Sequence, residues 1–116
     1  MASITVNGDL VARDFETLAI DNTAGGVGFT STKMNKSRTT NSPYDAIQRC
    51  VEVLVTFEDQ PARYTVDGTA PTTTVGHLIA AGDTAIIQGF ENISKFRAIR
   101  TGGTNSAAAI TYFFRA

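Results

Sequence analysis

Cysteine, histidine and tryptophan are nearly missing from this 116-residue chain, which carries one Cys, one His and no Trp. The lone Cys50 excludes an intramolecular disulfide, which fits folding in a reducing cytosol without requiring it. A zinc site built on Cys50 and His77 would have to recruit carboxylates, and no short-spaced ligand pair exists, so no metal is expected. Asp59, Asp67 and Asp83 lie in turn-like stretches, but not at the spacing of a calcium loop. Ser-His-Asp catalysis would have to use His77, and nothing marks an activated nucleophile to go with it. The expectation is a non-enzymatic protein with no catalytic, cofactor-binding or metal-ligating set.

An excess of charge is also lacking. Ten Lys plus Arg against 11 Asp plus Glu give a net charge of -1, which offers no electrostatic case for nucleic acid or an anionic membrane as partner. No segment approaches about 18 consecutive apolar residues, so no membrane-spanning helix is expected. Met1 to Asp9 has no basic region followed by an apolar stretch, so no secretory leader is expected. Gly25-Gly26-Val27-Gly28 superficially resembles a phosphate-cradling loop, but strand-like Phe29-Thr30-Ser31-Thr32 follows where a helix should open. A hairpin or bulge is the better reading.

What is present is alternation. Val51, Val53, Val55 and Phe57 share one parity between Arg49 and Glu58, which predicts a strand. Ala62, Tyr64 and Val66 alternate with Arg63, Thr65 and Asp67, and the turn residues Glu58-Asp59-Gln60-Pro61 between the runs predict a hairpin. Ala108, Ile110, Tyr112 and Phe114 alternate with Ala107, Ala109, Thr111 and Phe113, a strand apolar on both faces and therefore central. Thr84 to Gln88 and Lys95 to Arg100 are shorter runs separated by Gly89-Phe90-Glu91-Asn92, read as a turn. Ile4 to Val6, Phe15 to Ile20 and Val27 to Lys33 are weaker strands. The total is about eight short strands at the turn spacing of a sandwich, so the fold expected is a single-domain antiparallel β-sandwich over residues 1–116, jelly-roll or Ig-like.

Residues 33–44 break the pattern. The stretch Asn35 to Ser42 has no apolar side chain to offset the entropy of ordering, which predicts a polar loop or arm at about 33–44. Tyr44 to Arg49 reads as one helical turn or, in preference, as the lead-in to the following strand. Lys33, Lys36 and Arg38 form a basic cluster in the loop, read first as a solvated face; the functional reading is an arm for an acidic neighbouring subunit or nucleic acid, and the scarcity of interleaved aromatics favours a protein partner. Asp67-Gly68 reads as a tight turn, because Gly accepts positive φ and Asp bonds the nearby backbone.

One ordered set of motifs carries a family likeness. Arg63-Tyr-Thr-Val-Asp-Gly-Thr-Ala-Pro-Thr72 is followed by Val75-Gly-His-Leu78, Ala81-Gly-Asp-Thr84, Ile93-Ser-Lys-Phe-Arg-Ala-Ile99 and Ile110-Thr-Tyr-Phe-Phe114. This order, over about half of the chain, resembles small virion proteins of tailed bacteriophages. The resemblance implies a capsid decoration or cement protein, made in the host cytoplasm and placed on the virion, where it bridges major capsid subunits. It also implies a homo-oligomer, a trimer by analogy with the three-fold positions of a shell. A head-to-tail, tail or baseplate component is the alternative within the virion. Lys33, Lys36 and Arg38, with Asp67 and Thr69 at a loop tip, are the candidate contacts to the major capsid protein or another virion subunit. From a different class, a small sandwich can be a carbohydrate-binding module; the absence of Trp and the placement of most Phe and Tyr on strand periodicity count against it.

Overall fold

Side chains two residues apart point the same way along an extended chain, and here that rule produces two facing sheets. The computed structural model describes residues 8–37 and 47–116. Its elements are β1 (Leu10–Ile20), α1 (Ser31–Met34), β2 (Asn35–Ser37), β3 (Ile47–Arg49), β4 (Glu52–Phe57), β5 (Ala62–Thr65), β6 (His77–Ile79), β7 (Thr84–Gln88), α2 (Phe90–Lys95), β8 (Arg97–Arg100) and β9 (Ser106–Arg115). One antiparallel sheet has the order β1-β9-β4-β7, a second the order β6-β5-β8, and β2 and β3 pair by themselves. The chain is an all-β antiparallel sandwich.

The alternation seen in the sequence sets the core. Val53, Val55 and Phe57 of β4, Ala85 and Ile87 of β7, and Ala108, Ile110, Tyr112 and Phe114 of β9 pack against Ala62, Ile79 and Ala98 of the smaller sheet. As expected, β9 is central, between β1 and β4. A chain of aromatic rings joins the layers. Phe29 stacks on Phe96 with centroids 4.3 Å apart, Phe96 meets Tyr64 at 5.9 Å, Tyr64 meets Phe57 at 6.4 Å, and Phe29 meets Tyr112 edge-on at 5.9 Å.

Several expectations need correction. The hairpin between the runs at 51–57 and 62–66 does not form, because β4 and β5 belong to opposite sheets. Residues 58–61 stay bonded to β9 as they cross: Glu58 N–H donates to Ala107 O, Ala107 N–H to Asp59 Oδ1, and the Ser106 hydroxyl to Gln60 O. Phe57 and Ala62, both fully buried, thereby enter one core from two sides. Alternation specifies which face is buried, not which strand is the neighbour. Val27 to Lys33 is not a strand either; Val27 makes a lone bridge to Ala98 and the chain then coils into α1. Gly26 is required in that approach, since a Cβ there would lie 2.9 Å from Pro71 Cγ at a φ of +81°. Gly89 to Asn92 is not a turn but the entry to α2, which inserts Ile93 into the core just ahead of Phe96.

The polar stretch at 33–44 also differs in its described part. Lys33 and Met34 close α1, and Asn35–Ser37 form β2, paired with Ile47–Arg49. The lead-in is thus a strand of its own, with Cys50 N–H donating to Met34 O beside it. The expectations at Ile4 to Val6 and at residues 38–46, Arg38 included, lie outside the described residues.

The ring chain generates a stability prediction. Phe96 is fully buried between two rings, so Phe96→Ala should destabilise the fold by about 3–5 kcal/mol and Phe96→Leu by less than about half of that. Urea unfolding followed by circular dichroism measures both; a loss below about 1 kcal/mol for the alanine variant would contradict the packing described.

Candidate functional site

Two features of β1 organise the rest of the surface, and both follow from one extra residue. Ala12 pairs with Phe113 and Asp14 with Tyr112, leaving Arg13 as a bulge between them. The bulge resets the parity of the strand. Leu18 and Ile20 then face the core opposite Ala108 and Ser106, which forces Asp14 and Glu16 inward as well and turns Phe15, Thr17 and Ala19 outward.

The inward carboxylates fasten the segment that carries α1 and β2. Lys33 Nζ lies 3.1 Å from Asp14 Oδ1, and Lys36 Nζ pairs with Oδ2 of the same carboxylate. The Lys36 hydrogen bond, then the Phe15 N–H and Lys33, hold the Asp14 carboxyl down from 3.8 to about 2. Glu16 accepts from the Thr30 hydroxyl at 2.7 Å, from the Thr30 N–H, and from the Tyr112 hydroxyl. Burial and the Glu16 carboxylate push the Tyr112 phenol well above its ordinary range. Lys33 and Lys36, candidate partner contacts in the sequence, are therefore brought together on Asp14, one carboxylate shared between two ammonium groups that stay partly exposed. Asp67 and Thr69 are also brought together, in an exposed turn where Thr69 N–H donates to Asp67 Oδ1 at 3.0 Å. That bond, first among the causes, lowers the Asp67 pKa.

The outward parity builds a face that no motif announced. Across the sheet, Phe15 of β1, Thr111 of β9, Leu54 of β4 and Ile86 of β7 stand in one row. Thr17, Ala109, Thr56 and Thr84 form the next row, and Ala12, Phe113, Glu52 and Gln88 the row on the other side. Glu52 is the one charged residue in these rows; it is 8% exposed and accepts from Gln88 Nε2 at 2.8 Å. Phe15 remains 56% exposed and Ile86 47%. The result is a β face on which Phe15 and Ile86 stand exposed at opposite edges, Leu54 and Thr111 are half-buried between them, Phe113 is buried, and Glu52 is the one charge in the three rows. Its signal in the sequence was Phe15 itself, whose parity with Thr17 and Ala19 opposes that of Leu18 and Ile20.

The two singletons are placed apart. Cys50 is fully buried beside β4, and desolvation pushes its thiol up to about 11, so it is not a thiolate at neutral pH. His77 lies exposed on the edge strand β6, its ring 5.5 Å from Tyr64. Among the described residues, no three His, Cys, Asp or Glu side chains are grouped to hold a metal ion. No known protein family matches the sequence, and no curated protein matches it significantly.

The Asp14 pairing predicts a pH signature. A carboxylate whose pKa is lowered on folding stabilises above its ordinary value near 3.8 and loses that contribution as pH falls through about 2. Asp14→Asn should therefore destabilise the protein by about 1 kcal/mol at neutral pH. The gap between wild type and variant should shrink as the pH drops from 4 towards 2, as measured by thermal unfolding across that range; a gap independent of pH would show that the charge is not what Asp14 contributes.

Proposed function

We propose that this protein is a structural component of a tailed-bacteriophage particle, a decoration or cement protein that docks on the capsid through the outer face of the β1-β9-β4-β7 sheet. Two things support this reading. The ordered motifs from Arg63 to Phe114 resemble small virion proteins, and the sparsely charged face bearing Phe15, Leu54 and Ile86, with Glu52 as the one charge in its rows, is the observation that carries it. A face of this kind suits a protein surface equally poor in charge and offers nothing to a polyanion.

Size decides how such a protein would act. Four strands about 4.8 Å apart and about 20 Å of strand length give on the order of 400 Å². That is about half of one partner's share in a standard interface of about 800 Å², so a single docking event is weak. Repetition solves this. Copies arrayed around a symmetry axis, a trimer in the family the chain resembles, bind with the avidity of several contacts and hold neighbouring capsid subunits together. The exposed turn at Asp67 and Thr69 follows β5 of the smaller sheet and offers a separate point of contact, whereas Lys33 and Lys36 also fasten the α1-β2 segment to β1.

The test is co-sedimentation of the purified protein with phage heads that lack it, paired with light scattering for its oligomeric state. Phe15→Glu and Ile86→Glu, at exposed positions, should leave the melting temperature close to wild type and weaken head binding by about tenfold or more each. Binding unchanged in both variants would remove the sheet face from the interface, and no binding by wild type would remove the capsid as partner.

A further inference from the structure

A separate groove opens beside the edge strand β7, where the two sheets part and α2 closes one end. It has a volume of about 270 Å³ and is lined by Tyr64, Val66, His77, Ile86, Gln88 and Asn92, with buried Ile87 at its floor. Its composition is mixed in a specific way. Val66, Ile86 and the rim of Tyr64 supply apolar surface, while His77, Gln88 and Asn92 supply uncharged amide and imidazole groups. Lys, Arg, Asp and Glu are missing from the lining.

The polar groups there have unused capacity. Asn92 Nδ2 is committed to Gln88 O at 2.9 Å, which leaves Asn92 Oδ1 pointing away from that bond as an acceptor. Among the described residues, the Tyr64 hydroxyl and the His77 ring nitrogens make no hydrogen bond, although the two rings touch. Tyr64 is at the same time fixed in place, because Phe57 and Phe96 stack against it from within the core. A rigid aromatic, flanking aliphatics and several unspent neutral donors and acceptors in one concavity form a pre-built site.

We propose that this groove binds a neutral carbohydrate, one pyranose ring at a time. The ring's C–H face would lie on Val66, Ile86 and the Tyr64 rim, and its hydroxyls would bond to Tyr64 Oη, His77 and Asn92 Oδ1. The alternatives fit less well. A phosphorylated or carboxylated ligand would find no cation in the lining, and the volume lies below the about 300–1,000 Å³ of typical small-molecule sites, which is too small for a peptide segment. The low count of polar contacts sets a weak affinity, with a Kd on the order of 1 mM. The groove shares Ile86 and Gln88 with the edge of the capsid-docking face proposed above, whereas Tyr64, Val66, His77 and Asn92 lie outside the rows of that face, so its test rests on Tyr64 and His77.

The experiment is titration of the ¹⁵N-labelled full chain with glucose, galactose, N-acetylglucosamine and rhamnose, followed by amide shifts, with glycerol, adenosine and inorganic phosphate as controls. At least one of the sugars should shift the amides of Val66, His77, Ile86, Gln88 and Asn92 saturably. His77→Ala, at an exposed edge position, and Tyr64→Phe, which keeps the ring and removes the hydroxyl, should each weaken that sugar by at least about threefold with thermal unfolding unchanged. The proposal fails if no sugar moves these amides, if glycerol or adenosine moves them as strongly, or if both variants bind as wild type does. Head binding by His77→Ala should be unaffected, which separates failure of this site from failure of the docking face.

Discussion

The ring chain Tyr112, Phe29, Phe96, Tyr64 and Phe57 is the constraint on which the other features rest. It begins and ends on the larger sheet and passes through the loop after β1, the end of α2 and the middle of the smaller sheet. Planar rings at fixed separations act as spacers. They set the distance between layers, and so the register in which Ala62 and Ala98, side chains too small to span the gap, still find the core closed over them. The groove beside β7 is a product of the same spacing, since Tyr64 is held from behind by two rings and presents only its rim to solvent.

The bulge at Arg13 is the second determinant, and it acts through parity. One extra residue moves two carboxylates from the exterior to the interior edge of the sandwich and moves a phenylalanine outward. Carboxylates turned inward and half-buried take partners, and the chain supplies them from the segment around α1 and β2 and from β9. Lys33, Lys36, Thr30 and Tyr112 are the partners, and the ordering of α1 and β2 is the result. The outward Phe15 and the fastened inner segment are two sides of a single register choice.

Much of this was legible in the sequence, and the rest was not for identifiable reasons. The buried parity of Val53, Val55 and Phe57, the central position of β9, and the all-β class followed from period two. The partner of β4 did not, because alternation is blind to pairing; a polar crossing at 58–61 looks the same whether it closes a hairpin or changes sheets. The strand Asn35–Ser37 was hidden because its stability comes from β3 and Asp14, far along the chain, and not from its own side chains. Of the candidate contacts, Asp67 and Thr69 were placed correctly in a turn, while the role of Lys33 and Lys36 depended on a bulge that composition does not reveal. Phe15 was visible as a strand residue, but its exposure needed the register. Tyr64 sits on strand periodicity, as read, and yet reaches the groove, because a ring at the margin of two sheets is half inside and half outside.

Cys50 carries a practical consequence. Its sulfur is sealed at the junction of β3 and β4, and its thiol stays protonated at neutral pH. A maleimide or disulfide reagent can reach it only when that junction opens, so the alkylation rate of the single thiol is a clock for local breathing of the sandwich. The protein thus carries its own reporter on how tightly the layers stay shut, with no label added and no residue exchanged.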